Sequence, residues 1–335
     1  MGEDNGDILD FLIGEESSCS ENSECPIVFA NKIRSMNTQS PITERIHVNV
    51  CSEFDRLKTV VMRWANPARI SLSMVASVFN ASVCAQLRHN TWKYYDYMRV
   101  REQQQHVVQI LRDHGVAVLF LDNVPGVGSQ HYTRDIAFCI DDAFFVARMG
   151  TRYREPEQCA LAPLLPRLSR VVRLERGRIE GGDVMLYNDK VLVGLGEATD
   201  TEGVNELRYT LAELGNPREV VSIPFSQRGV IHLDTKFNIV GEHVALFARE
   251  SFEPDTVRWF EKHFDLIEAT NEEARGLEIN TFAIGDRKVI MLENSERLAR
   301  LIQQRGLTPI LVDYSEVTRW PGSFRCTTLP VERAA

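Results

Sequence analysis

The sequence predicts an α/β fold in which five similar units close into a ring. Four predicted β-hairpins recur at intervals of about 50 residues, and each is followed by a helical stretch and a β-rich run. The segments that remain at the two ends of the chain provide a fifth unit. A closed ring leaves no sheet edge unpaired, which is a physical reason for the first and last strands to pair. An open α/β sheet is the alternative fold.

The four hairpins are predicted from pairs of apolar runs that flank a short polar turn. The turns lie at residues 141–142, 188–189, 241–243 and 285–287. The helical stretches lie near residues 157–168, 201–214, 255–263 and 295–305, and the β-rich runs lie at residues 171–174, 220–223, 266–267 and 308–312. Each unit is therefore predicted to be strand, turn, strand, helix, strand.

The fifth unit is predicted to combine both ends of the chain. Residues 46–50 and 57–62 have the apolar patterns of strands, residues 92–114 have helical spacing, and residues 116–121 are a buried-strand run. The C-terminal run at 324–331 would join these strands and close the ring.

Composition limits the class of protein. The chain has 335 residues, of which 44% are hydrophobic and 25% are charged, as in ordinary globular proteins. No apolar run of about 18 residues and no signal-peptide pattern is present, so the sequence predicts a cytoplasmic protein without membrane partners. A net charge of -9 without a basic patch argues against nucleic acid. Seven scattered cysteines without a Cys-x-x-Cys pair indicate reduced thiols.

Two regions are expected along the chain. Residues 1–41 are acidic at the start and rich in Ser, Asn and Glu, which predicts a mobile leader. Residues 45–333 are predicted to form a single catalytic domain.

The candidate chemistry lies where the predicted hairpins begin. His232 stands two residues before Asp234, so on a strand both side chains would leave the same face. Residues 133–135, 180–183 and 324–327 carry further polar side chains at the ends of apolar runs. Corresponding positions of a ring face its axis, so these four segments are expected to meet at one centre.

Each of these residues also has a structural interpretation. A buried cysteine is commonly a packing residue, but the neighbours of Cys326 predict a polar loop. His232, Asp234 and Glu180 are possible metal ligands, yet no His-x-x-x-His or cysteine pair supports zinc, so no metal is predicted. The glycines at 126–128 and 194–196 complete no dinucleotide fingerprint, and no organic cofactor is predicted.

The sequence resembles the guanidine-modifying enzymes of the pentein fold, which include arginine deiminases, dimethylarginine hydrolases, agmatine deiminases and amidinotransferases. The resemblance covers residues 46–333. Residues 180–185 (EGGDVM) and 193–197 (VGLGE) are similar to arginine deiminases, residues 232–234 (HLD) are shared, and residues 237–241 (FNIVG) and 322–326 (GSFRC) are closer to amidinotransferases.

The resemblance implies roles for individual residues. Cys326 would be the nucleophile, His232 the general acid/base, and Asp135 and Asp234 the carboxylates that clamp a guanidinium. Glu180 would support the clamp or the histidine, and Asp183 would lie behind them. Arg134 and Arg154 are expected near the substrate, and Arg154, or Arg152, is a candidate to hold a substrate carboxylate.

Carboxylates suit this chemistry because a guanidinium is a planar cation with five hydrogen-bond donors. A thiolate can attack the central carbon, and a histidine can protonate the departing nitrogen. Alanine at 198 departs from the deiminases, where an arginine follows the Gly-x-Gly-Glu segment and helps to hold the substrate carboxylate. Free arginine is therefore not a settled substrate.

The predicted function is hydrolysis of a small guanidino compound through a covalent thioimidate on Cys326. Transfer of the amidino group to an amine acceptor is the alternative. A non-catalytic binding module is a lesser one, because a ribosome-binding translation initiation factor uses the same fold. A homo-oligomer is left open.

Overall fold

The computed structural model describes residues 45–67, 96–128 and 130–334, and in this part the strands form five three-stranded sheets. The predicted leader, residues 1–41, lies outside the described residues. The five sheets repeat one topology, which confirms the predicted ring of five units.

The first described elements belong to the closing unit, which was predicted as a fifth unit and is counted as the first from here on. They are strand β1 (Arg56–Arg63), helix α1 (Tyr97–Asp113) and strand β2 (Ala117–Leu121). Asp96 caps α1 by accepting hydrogen bonds from the backbone N–H groups of Met98 and Arg99, as expected for an aspartate at this position. The predicted helix began at residue 92, and residues 92–95 lie outside the described part of the chain.

The four remaining sheets follow in chain order. The second unit contains β3 (Ala137–Ile140), β4 (Ala143–Val146) and β5 (Val171–Arg173); the third contains β6 (Val184–Tyr187), β7 (Lys190–Leu195), α2 (Thr201–Glu213) and β8 (Glu219–Pro224). The fourth contains β9 (Phe237–Ile239), β10 (Val244–Phe247), α3 (Pro254–His263) and β11 (Asp265–Glu268), and is followed by the short helix α4 (Asn271–Arg275). The fifth contains β12 (Phe282–Gly285), β13 (Lys288–Leu292), α5 (Glu296–Gln304) and β14 (Thr308–Val312).

Within each of these four sheets the first two strands are antiparallel and the second and third are parallel. The last strand, β15 (Leu329–Ala334), pairs antiparallel with β1, which in turn runs parallel to β2. The two ends of the chain therefore share one sheet, as predicted from the need to leave no edge unpaired.

Cys159 is disulfide-bonded, so the prediction of reduced thiols is wrong for this residue. Three details of secondary structure also differ from the sequence prediction. Residues 46–50 form only isolated bridges, through Ile46, Asn49 and Val50. The predicted helix at 157–168 is instead two 3-10 segments, Glu155–Leu161 and Leu165–Arg167. Prolines at 156, 163 and 166 interrupt the α-helical hydrogen bonds there. Helix α4 was not predicted.

Apolar side chains from neighbouring units pack together in four buried clusters. One cluster joins the strands of the second unit to those of the third. Another joins the fourth and fifth units through Leu246, Val289 and Ile302. Among the described residues no helix is long and apolar enough to cross a bilayer.

Candidate active site

The polar segment before the first strand of each sheet turns into a common buried centre. The residues concerned are Asp135 before β3, Glu180 and Asp183 before β6, His232 and Asp234 before β9, Asn280 before β12 and Cys326 before β15. Their exposed fractions lie between 0% and 3%. The structure therefore brings together the catalytic candidates chosen from the sequence, and each of the five units contributes to the centre.

The backbone at His232 corrects one premise of the sequence prediction. Residues Leu233–Thr235 form a 3-10 turn rather than a strand, and strand β9 begins only at Phe237. His232 and Asp234 both reach the centre because the turn redirects the chain there, not because they alternate on a strand.

His232 lies between two carboxylates. Its Nε2 atom is 3.0 Å from Oε2 of Glu180, and its Nδ1 atom is 3.5 Å from Oδ1 of Asp135. Burial disfavours the charged imidazolium, but the Asp135 charge and the Glu180 hydrogen bond outweigh it and raise the pKa of His232 to about 10. His232 is therefore an imidazolium at neutral pH.

Glu180 is fixed on both sides. Its Oε1 atom accepts a hydrogen bond from the Gly150 backbone N–H at 2.7 Å, while Oε2 faces His232. Burial opposes its ionised form, but the His232 hydrogen bond and charge lower the pKa of Glu180. The carboxylate is thus held in one orientation and kept ionised beside the imidazolium.

Two glycines explain why the chain can approach so closely at residues 180–183. A Cβ atom on Gly182 would lie 2.7 Å from Cγ of His232 and 3.0 Å from Oδ1 of Asp135. A Cβ atom on Gly181 would lie 2.1 Å from the Arg134 carbonyl oxygen. The Glu-Gly-Gly-Asp sequence therefore permits the contact between carboxylates and histidine.

Asp183 positions the turn that carries His232. Its Oδ1 atom accepts a hydrogen bond from the Leu233 backbone N–H at 2.8 Å, and its Oδ2 atom accepts one from the Thr199 hydroxyl at 2.6 Å. Burial raises the pKa of Asp183 to about 7. Both of its oxygen atoms are engaged within the protein, so its contacts are structural.

Cys326 lies beside Asp234. Its Sγ atom is 3.7 Å from Oδ2 and 3.8 Å from Oδ1 of Asp234. Burial, and then the negative charges of Asp234 and Asp135, raise the pKa of the Cys326 thiol well above its ordinary value. The thiol is therefore protonated in this arrangement, and a positive charge brought between the carboxylates would lower its pKa.

Asn280 holds the loop that carries the cysteine. Its Oδ1 atom accepts hydrogen bonds from the backbone N–H groups of Ser323 and Cys326, both at 3.2 Å, and its Nδ2 atom donates to the Asp234 carbonyl oxygen at 3.0 Å. Sequence reasoning missed this residue. Its position could have identified it, because Asn280 stands just before the first strand of the fifth unit, as the other polar segments do in their units.

A second buried ion pair lies behind Asp234. Arg325 donates from Nη1 to Oδ2 of Asp234 at 3.0 Å and from Nη2 to Oε2 of Glu53 at 3.1 Å. The Arg325 side chain is 1% exposed. Neither Arg325 nor Glu53 was a predicted site residue, and no motif in the sequence joins positions so far apart.

The position of Arg154 differs from its predicted role. Its Nη1 atom donates to Oδ2 of Asp135 at 2.7 Å, and Nε and Nη2 donate to the two oxygens of Glu157 at 2.8 and 3.1 Å. The side chain is only 13% exposed. Its guanidinium thus binds carboxylates of the protein and is not available to a substrate carboxylate in this state. Arg152, the other residue considered for that role, is exposed.

Arg134 also has a different environment from the one predicted. Its Nε atom donates to the Arg325 carbonyl oxygen at 3.3 Å, and its Nη2 atom is buried without a hydrogen bond. Burial and the nearby Arg325 charge lower the pKa of Arg134 to about 9. Its electrostatic neighbours are Glu53 and Arg333 as well as Asp234, so it lies behind the cysteine loop.

Asp135, Glu180 and His232 have ligand atoms within 4.8 Å of one another, which is close enough to hold a metal ion. Each ring nitrogen of His232 nevertheless faces a carboxylate oxygen, an arrangement in which both nitrogens carry hydrogen. A metal would need one of those nitrogens as a lone-pair donor. The arrangement therefore fits a doubly protonated His232 better than a His232 that is bound to a metal ion.

Comparison with known proteins identifies the family. The family model described as N,N dimethylarginine dimethylhydrolase, eukaryotic, matches residues 79–333. The chain belongs to this family. Membership places it among hydrolases of guanidino C–N bonds and confirms the predicted superfamily and enzyme class.

Individual relatives agree with this assignment. Uncharacterized protein YkgA of Bacillus subtilis is 32% identical over 233 residues, covering 69% of this chain and 80% of YkgA. N(G),N(G)-dimethylarginine dimethylaminohydrolase of Streptomyces coelicolor is 24% identical over 241 residues, covering 70% of this chain and 86% of the relative. The structure of SxtG, an amidinotransferase of Microseira wollei, has the same fold, with a TM-score of 0.72, 16% identity and coverage of 86% of this chain and 98% of SxtG.

Proposed function

We propose that this enzyme hydrolyses a guanidino C–N bond of a methylated arginine through a covalent thioimidate on Cys326. The observation that carries the proposal is a buried thiol in a centre with two carboxylates, each of which has one oxygen that no arginine among the described residues binds. The free oxygen of Asp135, Oδ1, faces the His232 ring at 3.5 Å. Asp135 Oδ1 is buried without a hydrogen bond, and the contact of Asp234 Oδ1 among the described residues is the thiol at 3.8 Å.

A guanidinium would supply what this centre lacks. It can donate to both free carboxylate oxygens, and its positive charge compensates the negative charges that raise the pKa of the Cys326 thiol. With substrate bound, the thiol therefore gives its proton to solvent and becomes a thiolate; before that the nucleophile stays protected as a thiol.

A substrate guanidinium that binds both oxygens of Asp135 has to displace Arg154. The Arg154 guanidinium occupies Oδ2 of Asp135 at 2.7 Å, so it competes with the substrate for the same carboxylate. We propose that the substrate displaces Arg154 from Asp135, and that the released side chain is then free to meet a substrate carboxylate.

The proposed reaction has two halves. The Cys326 thiolate attacks the central guanidino carbon, and the imidazolium of His232 transfers a proton to the departing amine nitrogen as its bond to carbon breaks. Water then attacks the thioimidate carbon and gives a proton to the now neutral His232. The tetrahedral adduct expels the Cys326 thiolate, the hydroxyl proton of the adduct passes to that sulfur, and a ureido product is left beside the restored thiol. Glu180 orients His232 through both halves.

The experiment that tests the proposal is mass spectrometry of products after incubation with asymmetric dimethylarginine, arginine and agmatine. We expect a ureido product and a released amine at a rate independent of added amines. Cys326→Ala should lower turnover by at least about 10³-fold while the far-ultraviolet circular dichroism spectrum stays unchanged. Activity within tenfold of the parent would refute the nucleophile.

The same experiment separates hydrolysis from amidino transfer. A transferase would accumulate an adduct one amidino group heavier on Cys326, which only an added amine would discharge. A stable adduct of that kind would overturn the hydrolytic mechanism.

A further inference from the structure

A cavity of about 710 Å³ lies next to the catalytic centre, where the second and third units meet. Its apolar lining includes the side chains of Val146, Met149 and Leu174. Its charged lining consists of Arg148, Arg152, Arg173 and Arg178 together with one carboxylate, Glu155. The volume is within the range of about 300–1,000 Å³ that small-molecule sites occupy.

The positive charge of this cavity is poorly compensated within the protein. Arg178 pairs with Asp200, at 2.9 Å between Nε and Oδ2. The guanidinium groups of Arg148, Arg152 and Arg173 belong to exposed residues and form no hydrogen bond or ion pair with any residue that the structure describes. Most other arginines in the described ranges have a carboxylate or carbonyl partner. Several like charges around one cavity repel each other, and an anion would remove that repulsion.

We propose that this cavity binds a multivalent anion, such as a phosphate group or a pair of carboxylates. Arginine suits such a ligand because its planar donors bind two oxygens at once. The Glu155 carboxylate favours an anion that still carries a hydrogen, such as a singly protonated phosphate, which can donate to it.

The cavity is coupled to the catalytic centre through one short segment. Residues 148–155 provide Arg148, Arg152 and Glu155 to the cavity. The same segment provides the Gly150 N–H that binds Glu180 and the Arg154 guanidinium that binds Asp135. An anion that draws this segment toward the cavity would therefore change how firmly Arg154 holds Asp135. This coupling rests on the proposed function, whereas anion binding itself does not.

The binding test uses inorganic phosphate and the full-length chain at low ionic strength, measured by isothermal titration calorimetry. The double variant Arg152→Gln/Arg173→Gln should bind phosphate at least about tenfold more weakly, because two charges are removed from the site. Arg300→Gln is the matched control, since Arg300 is an exposed arginine on helix α5 of another unit. Equal phosphate affinity in the double variant and the control would overturn the proposal. The measurement needs no turnover, so its failure is distinct from failure of the catalytic proposal.

The anion could be a group of the substrate itself or a separate ion from solution. Steady-state kinetics with phosphate distinguishes these two sources. Phosphate that raises KM without changing kcat would identify the cavity as the subsite for an anionic end of the substrate. Phosphate that changes kcat, with the effect lost in the double variant, would identify a free anion acting through residues 148–155. Binding without either effect would mean an adventitious ion only and would overturn the proposal.

Discussion

At the scale of single residues, the centre is organised by pairing each buried charge with a defined partner. His232 has Glu180 and Asp135, and Asp234 has Arg325. A buried charge without a partner is costly, so these pairs fix the geometry as well as the charge. The carboxylate oxygens that remain free are the ones that the proposed substrate needs.

Arg154 provides a test of competition for Asp135. In Arg154→Met the resident guanidinium is gone, so the apparent KM for agmatine, which has no carboxylate, should fall. The KM for arginine should fall less or rise, because the released Arg154 is proposed to meet the substrate carboxylate. The measurement is the ratio of the two KM values, with Arg300→Met, an exposed arginine on helix α5, as the control. An unchanged KM for agmatine would refute the competition.

Asn280 provides a test of loop positioning. Asn280→Ala removes the acceptor for the backbone N–H groups of Ser323 and Cys326, so the proposed nucleophile is no longer held beside Asp234. We expect kcat to fall by about 10- to 100-fold, as small misplacements of reacting groups do. Asn216→Ala is the control, because the Asn216 amide likewise accepts from a backbone N–H, that of Arg218, and donates to an oxygen, Oδ2 of Asp141, but lies outside the centre. Equal kcat values in the two variants would contradict the assignment.

The sequence predicted part of this centre because its polar residues occupy corresponding positions in the repeated units. Asp135, Glu180, His232, Asp234 and Cys326 stand before the first strands of their units, and the structure brings them together. Asn280 has the same position but is an ordinary residue type, so it attracted no notice. Glu53 and Arg325 could not be paired from the sequence, since their contact depends on how the two ends of the chain close.

At the scale of elements, the hairpins were predictable and the connections were not. Alternating apolar runs around short turns specify paired strands wherever they occur. The segment at 157–168 has helical spacing, but its prolines leave only 3-10 turns. His232 was assigned to a strand because period two was the simplest way to align it with Asp234, and the observed turn achieves the same alignment.

The turn at residues 180–183 provides a test at this scale. In Gly182→Ala the new Cβ would lie 2.7 Å from the His232 ring, so the histidine or the turn has to move. We expect kcat to fall by about 10²-fold or more with the fold retained. Gly241→Ala is the control, because its Cβ would meet its nearest neighbour at an ordinary 3.4 Å. Retention of activity in Gly182→Ala would show that His232 needs no such close approach.

At the scale of the whole molecule, ring closure and charge burial depend on each other. Strand β15 completes the sheet of β1 and β2, and the loop just before it delivers Cys326 to the centre. Cys326, the proposed nucleophile, therefore reaches its partners only when the last unit has closed on the first. Stability of the closed ring should in turn depend on the charges that it buries.

The imidazolium of His232 makes this dependence measurable. Its pKa is about 10 in the folded protein and about 6.5 when unfolded, so the folded state binds the proton more tightly. The resulting stabilisation is fully present below pH of about 6.5 and is lost as the pH rises through about 10. Between pH 7 and 10.5 the free energy of unfolding should therefore fall by on the order of a few kcal/mol through this group alone. His232→Gln should have a shallower slope over this range.

His131→Gln is the control for this slope. His131 is equally buried, but burial and then the charges of Arg154 and Arg63 lower its pKa to about 3, so it is neutral throughout the alkaline range. Its contribution to stability changes only on the acid side, and the variant should parallel the parent between pH 7 and 10.5. The measurement is urea unfolding at a series of pH values, supported by NMR titration of the histidine ring protons in the parent should His232→Gln fail to fold. A His232 resonance that titrates near pH 6.5 would mean that the two carboxylates do not hold the proton, and the proposed acid would lose its basis.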